Sequence, residues 1–150
     1  MHRLPPLPSL LGVVAFAAPL LAQDAVPSPA CADAWVAFQR DIAGPWLVQW
    51  HAATGTPRVI YGSGYELVDW RENSLEHARG HAHRELQRHA ELLGLGASDF
   101  RETIGSRMGR TWSFVFDQYF RGLQVIGGRA DVRISMSGRV AMFGSTAWQI

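Results

Sequence analysis

Apolar and polar side chains alternate from Trp112 to Phe120. Trp112, Phe114, Phe116 and Phe120 share one side with Gln118, while Ser113, Val115, Asp117 and Tyr119 take the other. A period of two marks a strand with one buried face, and the aromatic side is the one to bury. Arg121-Gly122 interrupts the pattern, Leu123 to Ile126 resumes it as strand, and Gly127-Gly128 interrupts again. Ala130, Val132, Ile134 and Met136 then alternate with Arg129, Asp131, Arg133 and Ser135. Ser137-Gly138 predicts a tight turn, and Arg139 to Phe143 returns as the partner strand. Upstream, the β-prone runs Trp46 to Trp50 and Val59 to Leu67 flank Ala53-Thr54-Gly55-Thr56-Pro57, which supplies the Gly and Pro of a connecting loop. Gly62 and Gly64 lie inside the second run, so that strand is expected to be bent or short.

Between the hairpin and the first alternation the period lengthens to that of a helix, predicted from about Ser74 to Leu93. Asn73 and Glu76 resemble a capping box, and Gly94 stands where a helix ends. Leu75, Ala82, Leu86 and Leu93 fall within about 20° of one line on the helical wheel, an apolar stripe narrow enough to lie close against a sheet. Each element has one apolar face needing a cover. The predicted class is therefore α+β: an antiparallel β-meander packed against one main amphipathic helix, with an N-terminal β-hairpin.

The start of the chain has a different character. Residues 1–22 combine a short polar opening with an apolar run from Leu10 to Ala22 and read as a secretory signal peptide, which makes the protein secreted or periplasmic. The run is shorter than the roughly 20 residues of a spanning helix and has no successor, so no stable membrane span is expected after cleavage. Residues 23–34 form a Pro/Ala/Ser stretch expected to be a linker, leaving residues 35–150 as the folded domain. Cys31, the only cysteine, reads as an unpaired thiol in that leader, outside any lipoprotein box with the usual leucine.

Charge and motifs narrow the function. All 14 cationic residues are arginines against 13 acids, and past residue 22 the two signs cancel. Binding that rests on neutralising phosphates needs a basic surplus, so a nucleic-acid partner is not expected. Four histidines, His77, His81, His83 and His89, lie in the predicted helix. His77 and His81 have the spacing to reach one ion, but Arg84 and Arg88 stand beside them and no carboxylate or cysteine is recognisable on that face. A solvated, partly protonated face without a metal is the expectation, with His89 near the apolar stripe as a source of weakening at acid pH. No zincin, nucleophile-elbow, P-loop or dinucleotide motif occurs, and no catalytic residue is assigned. The tryptophans read as core residues flanking strands.

The segment Phe116-Asp117-Gln118-Tyr119-Phe120-Arg121-Gly122-Leu123-Gln124-Val125-Ile126-Gly127-Gly128, followed by the alternating strand and Ser137-Gly138-Arg139-Val140, resembles the fungalysin/thermolysin propeptide (FTP) domain. Gln118, Tyr119, Gly122, Val125, Gly128 and Gly138 stand at the matching places, with residues 112–147 as the core motif. The resemblance extends more loosely to residue 46. It departs at Leu123-Gln124, where many members carry a hydrophobic or small residue followed by proline.

The resemblance implies a non-catalytic propeptide that assists the folding of a secreted zinc metallopeptidase and inhibits it, with the catalytic domain as its partner in cis. It implies no cofactor in these residues, zinc belonging to a downstream peptidase domain. It also suits the apolar ending Ala147-Trp148-Gln149-Ile150, read as a truncation before later domains. Gln118 and Tyr119 are expected to tie one strand to its neighbours, and Gly122, Gly128 and Gly138 to allow turns. The expected contact face is the outward row Arg129, Asp131 and Arg133. The alternative is a free-standing secreted module that binds a protein or peptide in trans.

Overall fold

The computed structural model describes residues 25–150; the expected signal peptide lies outside the described residues. Eight elements follow in the order α1 (Pro29–Asp41), β1 (Trp46–Trp50), β2 (Pro57–Glu66), α2 (Leu75–Arg88), β3 (Asp99–Met108), β4 (Thr111–Phe120), β5 (Leu123–Ser135) and β6 (Arg139–Ser145). All strand pairs are antiparallel, in the order β1-β2-β6-β5-β4-β3. The N-terminal hairpin thus joins the meander through β2 and β6 to make one sheet. This is the α+β class expected from the patterning.

Both helices lie on one side of the sheet. The inward residues of β4 and β5, Phe114, Phe116, Ala130, Val132 and Ile134, are fully buried and form one core with Ala78, Ala82 and Leu86 of α2. Phe38 of α1 meets Trp46 of β1 at 5.2 Å and Phe143 of β6 at 5.6 Å between ring centroids, in edge-on geometry that favours aromatic pairs. The opposite side carries Leu47, Tyr61 and Ile104, all substantially exposed, together with Arg129 and Arg133.

Several boundaries differ from the sequence expectations, each for a local reason. The expected linker ends early: α1 begins at Pro29, and the Ser28 hydroxyl caps it by accepting the Cys31 N–H. Proline is well suited to the first helical turn, where its missing donor is not needed. Cys31 is consequently fully buried rather than part of a flexible leader. Helix α2 is capped by Ser74, which accepts the His77 N–H, and not by Asn73, whose side chain instead accepts the Trp112 indole N–H at 2.8 Å. It ends at Arg88, and turns carry the chain to Gly94 at φ +63°. Strand β5 runs unbroken through Gly127-Gly128, where the glycine pair accompanies a register shift between Asp117 and Tyr119 in β4 instead of ending a strand. Strand β3 had no counterpart among the predicted elements. It is an exposed edge strand with a bulge between Glu102 and Ile104, so neither burial nor alternation announces it.

Candidate functional site

Of the motif residues, Gln118 and Gly128 meet. The Gln118 side chain is fully buried, its amide N–H groups reach the Ser98 hydroxyl at 2.8 Å and the Trp148 carbonyl at 2.7 Å, and its carbonyl accepts the Trp148 N–H at 2.9 Å. A buried amide is tolerated only when so satisfied, and here it clamps the C-terminal segment and the approach to β3 onto β4. Gly128 lies against this side chain, and a Cβ there would overlap it. Tyr119 faces the other way, half-buried, with the Arg101 guanidinium 4.1 Å over its ring. Gly122 completes the β4–β5 turn at φ +81°, following Arg121 at φ +49°. Val125 lies beside Gln124, Gly128 and Thr146 in a shallow groove. Gly138, at φ +79°, is roofed by the Trp70 ring, so both backbone conformation and space require glycine.

The outward row is present as the alternation foretold. Arg129 pairs with Asp117 at 3.2 Å, and Asp117 also accepts the Gln124 amide at 3.0 Å. Arg133 approaches Asp131 at 3.8 Å. Burial among neighbouring side chains pushes the Asp131 carboxyl up to about 6, against the opposing pull of Arg133 and Arg129. Ser113, on the same side of β4, is buried with no hydrogen-bond partner for its hydroxyl. The row is thus a mixed-sign surface with one partly desolvated carboxylate at its centre.

On the helical side the histidines are not a uniform solvated face. His81 is buried against Trp70, and its Nε2 lies 3.3 Å from Nε2 of His77. Burial, then Arg84 and His77, hold His81 below its ordinary pKa. His83 lies apart from the pair, beside Glu102 at 3.5 Å and over the Phe116 ring. His89 stacks on Phe143 at 4.9 Å, as its place near the apolar stripe implied. Next to it the Tyr65 hydroxyl donates to Glu85 at 2.5 Å and meets His89 Nε2 at 2.9 Å. Burial alone would raise the Glu85 carboxyl, but the hydrogen bonds from His89 and Tyr65 hold it below its ordinary value. Glu85 was missed in the sequence, although its place three residues after Ala82 and four before His89 puts it at the stripe. Among the described residues no group of three or more His, Cys, Asp and Glu side chains is placed to hold a metal.

No described helix is long and apolar enough to cross a membrane. The chain has no match among family models, curated proteins or solved structures.

Proposed function

We propose that this chain is a non-catalytic propeptide domain that assists the folding of a secreted thermolysin/fungalysin-type zinc metallopeptidase and keeps it inactive until removal. The observation that carries the reading is the Gln118 clamp. Two of the positions singled out by their likeness to the FTP pattern form one physical unit, in which Gly128 makes room for Gln118 and Gln118 holds the segment at Trp148. The sheet face left open by the helices offers a surface for a partner, with Arg129, Asp131 and Arg133 as its polar row. A domain that binds only the native catalytic unit stabilises it by linkage, and covalent attachment raises the effective concentration to the millimolar range or so. In this reading the partner acts in cis, supplies the zinc, and is exported with the propeptide to the periplasm or the medium.

Two measurements test the proposal. The reading frame beyond codon 150 is expected to encode a His-Glu-x-x-His helix. The purified chain, added to a denatured thermolysin-type peptidase, is expected to speed recovery of native enzyme and to inhibit it stoichiometrically. A stop codon together with no effect on refolding or activity would remove the reading in favour of a free-standing binding module.

A further inference from the structure

Helix α2 carries a second stripe beside its apolar one. His77, His81, Arg84 and Arg88 follow one another at spacings of four, three and four, which keeps them on one helical face. That face looks across an open cleft of about 880 Å³ to Leu67, Val68, Asp69 and Arg71 in the connection from β2. The acids in the cleft are already engaged. Asp69 is paired with Arg71 at 2.9 Å, and Glu85 is turned inward to Tyr65 and His89, with Arg88 at 3.7 Å. Arg84 has no acidic partner among the described residues.

We propose that this cleft binds a tetrahedral oxyanion, a phosphate or sulfate group, between the paired imidazoles of His77 and His81 and the guanidinium group of Arg84. The imidazole geometry is the central argument. The two Nε2 atoms are 3.3 Å apart, and the His77 nitrogen also receives the Arg71 backbone N–H at 3.2 Å. Such a pair shares one proton easily, whereas two protonated rings would aim N–H groups at each other. An oxyanion suits this arrangement, because its acceptor oxygens can accept from the His81 ring and from the fork of a guanidinium while the His77 nitrogen goes on accepting the Arg71 backbone N–H. A divalent cation would suit the paired nitrogens but not three arginines lining the same cleft.

The site implies uptake of protons. The charged groups facing His81 are His77, Arg84, Glu85 and Arg88 on α2 and Asp69 and Arg71 in the connection. His81 lies below its ordinary value in the free protein, so a bound anion draws it back toward the charged form, and binding tightens as pH falls.

The test is calorimetric titration of the purified chain with sulfate, whose charge is constant over the range, at about pH 6 and about pH 8 and at low ionic strength. Saturable binding that is tighter at the lower pH is expected. Arg84→Gln should weaken it about tenfold or more, as loss of a charged hydrogen bond does. Arg107→Gln makes the same charge change on β3 and should leave it unaltered. Arg71→Gln frees the Asp69 charge in the cleft and provides a second weakening variant outside the helix, and His81→Gln should remove the pH dependence. Phenyl phosphate binding more tightly than inorganic phosphate would indicate an ester as the source, and equal binding a free ion. The proposal is overturned by no saturable binding, by equal losses from Arg84→Gln and Arg107→Gln, or by tight Zn²⁺ uptake without anion binding. None of these outcomes depends on the propeptide reading.

Discussion

The two faces of the sheet are made from the same strands and obey different rules. In β5 the residues Ala130, Val132 and Ile134 are fully buried under α2, while Arg129 and Arg133, one position away in each case, stand exposed. The covered face is fixed by volume, since a packed core leaves few alternatives to the side chains that fill it. The open face is fixed by charge balance and by whatever it meets. The difference teaches where to look for each property: stability on the side of Phe114 and Phe143 and, under the proposed function, recognition on the side of Asp131.

Truncation of a covered residue should have the largest effect. Phe114→Ala is expected to cost about 3–5 kcal/mol in denaturant unfolding, because a fully buried ring leaves a cavity that the sheet cannot close. Gln118→Leu comes next. It leaves the Trp148 N–H and carbonyl without their partner, at a cost of about 1–3 kcal/mol, and should make amides near Trp148 exchange faster with solvent. A loss within the roughly 0.5 kcal/mol of simple surface substitutions would break the view of Gln118 as a clamp.

Titration sharpens the contrast, because the two sides respond to acid with opposite sign. Asp131 has a raised pKa of about 6, so its contribution is most favourable when it is protonated and declines as pH rises through about 4 to 6. His81 and Glu85, in the helical layer, are both lowered. Their contributions are present above the ordinary values of 6.5 and 4.5 and are lost as pH falls below them. Asp131→Asn should therefore stabilise the protein at neutral pH by about 1 kcal/mol, discounted for partial exposure, and steepen its acid destabilisation. Unfolding curves that shift equally at neutral and acid pH would contradict the sign assigned to Asp131.

The smallest effect is expected at Ser113. Replacing it by alanine removes a buried hydroxyl that has no partner, and stability should stay within about 0.5 kcal/mol or rise slightly. Against the proposed peptidase, Arg133→Gln, which removes the charge without setting a second carboxylate against Asp131, should weaken inhibition with little change in unfolding. That pair of readouts separates the open face from the covered one.

The covered face was also the legible one. Alternation in β4, β5 and β6 and the stripe of α2 follow from burial on one side, and burial writes itself into sequence as periodicity. Strand β3 left no such trace because, at the sheet edge, it buries little and is held by backbone pairing with β4. Helix α1 hid behind the prolines of an apparent linker, although Ser28-Pro29 is itself a helix start. At the candidate site the motif positions could be named but not their partners. That Gln118 meets Ser98 and Trp148, or that Trp70 roofs Gly138, depends on contacts distant along the chain. The Tyr65–Glu85–His89 group was hidden for the same reason: Tyr65 lies on another element, and only packing brings its hydroxyl to the helix.

The two ends of the described fold meet. The Gln149 amide donates to the Ser28 hydroxyl at 2.8 Å and to the Cys31 sulfur at 3.2 Å, while the Ala97 N–H reaches the Ile150 carbonyl at 3.3 Å. The backbone order of this domain is therefore close to cyclic. A circular permutant that joins residue 150 to residue 25 through a short glycine linker, and opens instead at the exposed turn around Gly109, keeps every strand neighbour it has now. By the same geometry, chains attached at either end leave from a single corner, so the whole domain can be inserted into a loop of another protein without stretching its host.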